Sequence, residues 1–455
     1  MKQRILDALE SSRAGYGELR LRRIWRTAVL VRDRVAESAH AGVETGGFAR
    51  CCSTGTGWGS VGWSGESRLE EQLLQAHELS LAGSSRQPLQ LAEIPIREFE
   101  SPASLPADPR SFDMVAKRER AESLGVALRE ADRRIAASRV LVSDEVVETW
   151  YGTSEGTWIH HLRSSVTVAA LAVARQEGSA ERAMGSVTCP GGWHSTAAAE
   201  SLVQSVAARA VDRLHAPPVR SGRYPVVLDP AAAGALMHRA VSHIARPALP
   251  GADPDVLPLG ARLGPDILTV GDDPTAPGLS AGSPYDDEGA VARRCVIVQN
   301  GVVLGHLHNR ETAGASSQAT TGHARAGSIQ GPPYPRASNT FVAPGIGSLD
   351  DLMEEVGTGI YVMDALACEA TEAGVALRAG AAHMIRNGRI AEPVKGVKLS
   401  GELLDLLGRV DVVGGDFQWS GATARCRDGA AGLVTVTTGA PHLRLREVLI
   451  ESEVG

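Results

Sequence analysis

The chain has 455 residues, 43% of them apolar and 22% charged, with a formal net charge of −7 and a pI near 6.0. This is the profile of an ordinary globular protein, long enough for two or three domains with sizeable cores. The acidic balance offers no bulk attraction to nucleic acid or anionic lipid, and no apolar run approaches the roughly 20 residues needed to cross a bilayer.

The opening MKQRILDALESS starts an amphipathic helix and lacks the continuous apolar core of a secretion signal, so a cytoplasmic protein is expected. Residues 16–53 alternate like antiparallel strands, with turns expected at 32–38 and 44–47. Cys51 and Cys52 adjoin, whereas Cys189, Cys295, Cys368 and Cys426 are scattered and no CxxC occurs. Free thiols are therefore expected rather than a disulfide framework. The Gly-rich stretch 53–63 reads as a strand pair with turns, not a phosphate cradle, and no Walker A motif is present. Helices are expected over 67–83 and 112–131, separated by a Pro- and Ser-rich loop. Two alternating runs, 139–152 and 156–175, form a meander or long hairpin. His160 and His161 lie in the second run, where neighbours point to opposite faces, which argues against a shared metal there. Residues 195–216 are strongly helical, and the Pro-rich 215–225 marks a boundary between domains 1–222 and 223–455.

After this boundary come a strand, YPVVLDP, and the segment LMHRAVSHIA, residues 236–245. His238 and His243 stand five apart. On a regular α-helix that separates them by about 140°, so they converge on a metal only if the helix carries a π-bulge. Otherwise one is a surface and one a core histidine. Residues 246–290 are loop-rich, with acidic clusters at Asp272-Asp273 and Asp286-Asp287-Glu288. Such clusters are commonly solvated loops or helix caps; here they are also candidates for a replacement base or for orienting a ligand histidine. A hairpin turns at Asn300-Gly301, and the C-terminal third reads as short strands with one helix at 401–410. Arg336 and Asn339 either bind substrate or tie a loop to the core.

The order of these segments resembles the TldD/PmbA metallopeptidase family over nearly the whole chain, most securely 223–455. The strand followed by HRAVSH is similar to the family's strand and HExxxH helix. The acidic loop 269–289, the hairpin 296–313, PYPRASN, EPVKGVKLSG and VVGGD then follow in family order. The resemblance implies a zinc ion held by His238, His243 and Cys426, leaving a fourth position open as in catalytic zinc sites. It also implies an α+β fold: an N-terminal domain of helices and antiparallel sheet, and a β-rich C-terminal domain carrying the metal helix. It further implies pairing with a metal-free, TldE-like related subunit, or with a second copy, around a chamber. Family pairs in natural-product routes such as lincosamide antibiotic formation resemble N-deacetylases.

The departure is Arg239, where the family has Glu. A guanidinium stays protonated and cannot serve as general base. It can clamp a substrate carboxylate or stabilise an oxyanion, which makes Arg239 the candidate catalytic residue. The expected activity is zinc-dependent hydrolysis of an amide in a peptide or small N-acyl substrate. The alternative is a non-catalytic subunit that completes another chain's chamber.

Overall fold

Alternation over residues 16–52 produces one long hairpin rather than three short strands. Tyr16–Arg32 pairs antiparallel with Val35–Cys52 along its length, and Asp33 takes the left-handed conformation (φ 54°) at the turn. In the computed structural model the described residues are all except 54, 84–88, 102–104, 106, 194–196, 248–256, 372–373, 428–431 and 454–455. The turn expected at 44–47 is absent. Gly46 and Gly47 instead let the strand Gly59–Ser64 pack closely: a Cβ on Gly47 would stand 2.3 Å from the Trp63 ring. The 53–63 stretch thus supplies one strand to this sheet, not a strand pair of its own.

Ile135–Thr153 pairs with Tyr16–Arg32, and Trp158–Gln176 and Ser179–Pro190 complete the expected meander. Helices Met114–Glu130 and Ala197–His215 cover one face, burying Leu124, Leu128 and Val203 against Val140 and Val166. The Asp113 carboxylate starts the first of these helices by accepting the Ala116 N–H at 2.8 Å.

Among the described residues the C-terminal part holds two large sheets and a two-stranded one, Ala324–Ala326 with Pro333–Pro335. Five strands, Gly222–Leu228, Leu443–Ser452, Val397–Gly401, Gly374–Arg386 and Thr358–Thr371, pair in that order, and the last pairs back to the first. They form a closed ring. A second sheet contains Val270–Asp272, Cys295–Gln299, Asn339–Val342 and Leu433–Ala440, with Ala424–Arg427 paired to the last. Asn300 and Gly301 both have positive φ in the expected tight turn. Helix Pro230–Met237 is buried between ring and second sheet, with Leu236 and Met237 in one core with Leu228, Ile360 and Val342.

The C-terminal third departs from its reading as short strands with one helix. Two of its strands span 14 and 13 residues. Arg310–Ala315 and Leu349–Glu354 are additional helices, each opened by a capping box too short to leave a periodic pattern. The mixed, strand-rich α+β class is as expected.

Candidate metal centre

The helix Pro230–Met237 runs into a π turn, His238–Ser242. The His243 N–H bonds to the carbonyl five residues back, on His238, at 3.3 Å. The wider turn absorbs the extra residue, so both histidines face the same side, with ring centroids 5.0 Å apart.

His238 is oriented by a buried hydrogen-bond chain. Its Nδ1 lies 2.8 Å from Thr340 Oγ1, which donates to Asp272 Oδ2 at 3.2 Å. A hydroxyl that has spent its proton on a carboxylate must accept from the imidazole, so His238 carries its proton on Nδ1. The Ser242 hydroxyl completes the set, 2.9 Å from Thr340 Oγ1. Asp272 is fully buried and also accepts from the Ser338 N–H and hydroxyl. Burial works against its ionisation, but bonds from His323 and Ser338 outweigh that and hold the carboxyl below its ordinary value. The other His238 nitrogen, Nε2, is buried without a hydrogen-bond partner. Burial, then the neighbouring His243, lowers the His238 pKa to about 3, so the ring is neutral and its Nε2 lone pair is available.

Cys426 reaches the same point from the strand Ala424–Arg427, its Sγ 2.8 Å from His243 Nε2. Arg336 fixes the approach: its Nη2 donates to the Cys426 carbonyl at 2.9 Å and lies 3.6 Å from the sulfur, and its Nη1 donates to the Gly432 carbonyl. Donor atoms of His238, His243 and Cys426 all lie within 4.8 Å of one another. Tetrahedral zinc bonds of about 2.0–2.3 Å set donors roughly 3.3–3.8 Å apart, so small side-chain rotations suffice. Two imidazoles, one of them with an orphaned buried nitrogen, and a thiol are a three-donor set that fits zinc. The cavity they border is only about 10 Å³ and is lined by no carboxylate among the described residues.

Arg239 lies against His243 rather than in that cavity. Its Nη1 is 3.1 Å from both ring nitrogens, which places it midway between them and along neither lone pair. Burial pushes the Cys51, Cys295 and Cys368 thiols up to about 12 and Cys52 to about 11, and raises Cys189. None of these five joins the cluster.

Apart from Asp273, whose carboxylate caps its own exposed turn at Thr275, the acidic clusters are not solvated loops. Asp272 orients His238 through Thr340, and Asp287 and Glu288 pair with Arg22 and Arg50 of the N-terminal sheet. Arg336 and Asn339 tie loops: the Asn339 amide donates to the Asp273 carbonyl at 2.8 Å. His160 bonds Glu100 and Glu148, away from any metal cluster. Thr340, Ser242 and His323 escaped sequence reasoning. Thr340 is 102 positions from His238, and a lone threonine in an apolar strand carries no local signal.

Comparison with known proteins places this geometry. Family models described as the PmbA/TldA metallopeptidase central domain and C-terminal domain match residues 107–216 and 221–452. A metalloprotease of Synechocystis is 29% identical, with 96% of this chain and 95% of the relative covered. A metalloprotease of Methanothermobacter thermautotrophicus is 30% identical over 96% of both chains. The crystal structure of TldE from Thermococcus kodakarensis superposes with a TM-score of 0.72 at 17% identity, covering 99% of this chain and 100% of that one.

Proposed function

The chain belongs to the PmbA/TldA metallopeptidase family, and from that premise we propose that it is a zinc-dependent amide hydrolase acting on a peptide or a small N-acyl substrate. One observation carries the reading: the unpartnered, buried Nε2 of His238 stands beside His243 Nε2 and Cys426 Sγ. His238, His243 and Cys426 would hold the metal, with Asp272 and Thr340 fixing the ring of His238. Zinc, when bound, polarises a carbonyl and supplies a nucleophile near neutral pH.

The remaining chemistry falls to this chain's own side chains. Arg239 replaces the family's Glu, and no described carboxylate lines the cavity, so no general base comes from this wall. A cavity of about 10 Å³ admits an ion or a water, so the substrate approaches from outside it. Arg239, swung off His243, reaches a substrate carboxylate or the oxyanion formed at the scissile carbonyl. A specialised N-deacetylase, as in natural-product routes of the lincosamide type, asks less of such a site than a general peptidase.

The same proposal places the chain in the cytoplasm, divides it at residues 222 and 223, and makes it the metal-bearing half of a pair with a TldE-like subunit or with itself. Among the described residues no helix is long and apolar enough to cross a membrane. The second reading, a non-catalytic partner subunit, draws on the Arg239 substitution. The deciding experiment is release of amine from a panel of N-acetyl amino acids and short peptides, with and without the related subunit. Turnover that disappears on zinc removal and returns with zinc supports the hydrolase. Stoichiometric zinc with no turnover on any substrate favours the second reading.

A further inference from the structure

We infer that the seam between the N-terminal sheet and the C-terminal part holds an oxyanion-binding cavity, separate from the metal centre, that takes a small molecule bearing a carboxylate or phosphate group. The sequence LRLRRIWR sets one wall. Alternate residues Arg20, Arg22 and Arg26 of the strand Tyr16–Arg32 face the same side, joined by Arg163 from Trp158–Gln176. The C-terminal part covers them with Asp287 from a loop and Arg325 from the strand Ala324–Ala326. The cavity, open to solvent on the side of Arg26 and Glu44, has a volume of about 310 Å³, at the lower end of the range for small-molecule sites.

The charges in this cavity do not balance. Arg22 is paired with Asp287, and Arg26 with Glu44 and Glu145. Asp286 spends both carboxyl oxygens on the N–H groups of Glu288, Ala290 and Ala324, and burial pushes its carboxyl above the ordinary range. Arg20, Arg163 and Arg325 have no carboxylate within ion-pair distance among the described residues. Arg325 spends its donors on the carbonyls of Ala337 and Thr435, at 2.6 and 2.8 Å. Arg20 is 1% exposed; its Nη2 serves the carbonyls of Ile329 and Gly331, while Nε and Nη1 have no partner. Buried guanidinium donors without acceptors are costly, and three cations enclosed together repel. An oxyanion held in the cavity answers the charge term, while Arg20 Nε and Nη1 themselves lie out of solvent reach.

The cavity is not the back of the metal centre. Arg425 and Thr435 line it, whereas Cys426 and Val436, the next residues along the same two paired strands, line the metal cavity. Val434 borders both cavities, so this ribbon is the thin wall between them.

Calorimetric titration of the full chain, as purified, with inorganic phosphate and with succinate at constant ionic strength tests the assignment. At least one anion should bind at one per chain. Arg163→Gln should weaken it about tenfold or more, and Arg163→Lys should restore part of the loss. His243→Ala, which removes a metal donor, should leave the affinity within about twofold. Binding of phosphate alone or succinate alone identifies the group recognised. If circular dichroism finds Arg163→Gln misfolded, Arg425→Gln at the exposed rim takes its place. The inference is overturned if neither anion binds below about 10 mM, if the folded arginine variant binds like wild type, or if His243→Ala abolishes binding, which would put the anion on the metal.

Discussion

Thr340→Val removes one hydroxyl and keeps the branched shape. In the structure that oxygen contacts His238 Nδ1 at 2.8 Å, Ser242 Oγ at 2.9 Å and Asp272 Oδ2 at 3.2 Å. Without it the His238 N–H loses its acceptor and the ring loses the restraint that aims Nε2 at the cluster. Disruption of such outer partners weakens metal binding about 10–100-fold, or roughly 1.4–2.7 kcal/mol. Asp272 keeps its bonds from Ser338 and His323, so the fold should survive with a stability loss of about 1–3 kcal/mol from the unpaired buried N–H. Competition against a chromophoric chelator at fixed pH reads zinc affinity directly, and urea unfolding of metal-free protein reads the stability term. Unchanged zinc affinity in a folded Thr340→Val protein would refute the claim that the Asp272–Thr340–His238 chain positions a ligand.

Arg239→Ala should retain zinc and lose about ten- to a hundredfold in turnover of the natural substrate, the worth of a charge-assisted hydrogen bond; full activity would make Arg239 a bystander. Arg239→Glu restores the family residue yet should not rescue that substrate, as amine release in parallel assays would reveal. His161 has its pKa held at about 4, chiefly by burial and then by Arg163, whereas in the unfolded chain it titrates near 6.5. The unfolded state therefore binds the extra proton between these values, and stability falls as pH drops from about 6.5 towards 4, by up to about 3 kcal/mol. Urea midpoints at pH 7 and pH 5 should move less in His161→Gln than in wild type; an equal shift contradicts this. Gly47→Ala puts a Cβ 2.3 Å from the Trp63 ring and should cost about 1–3 kcal/mol in unfolding free energy, measured by the same titration.

The hairpins and long helices were legible because each carries its own period and punctuation, as at Asn300-Gly301 and the Asp113-capped helix. Gly46-Gly47 misled because glycine marks both a turn and a close approach, and only the position of Trp63 tells them apart. The five-residue spacing of His238 and His243 named its own condition, a π turn, and the helix has one. Cys426 was reached by resemblance alone, since thiol and imidazoles lie more than 180 positions apart. The burial of Asp272, Asp287 and Glu288 was hidden for a related reason. Their partners Thr340, Arg22 and Arg50 come from distant strands, and local polarity looks the same whether a carboxylate meets water or a buried arginine.

The central claim is that His238, His243 and Cys426 form one zinc centre. Its most direct test is elemental analysis of the purified, folded chain beside His238→Ala, Cys426→Ala and, as a control, His160→Ala. The account predicts about one zinc per chain in wild type and in His160→Ala, and a large loss in the other two. Undiminished zinc in both His238→Ala and Cys426→Ala would contradict it.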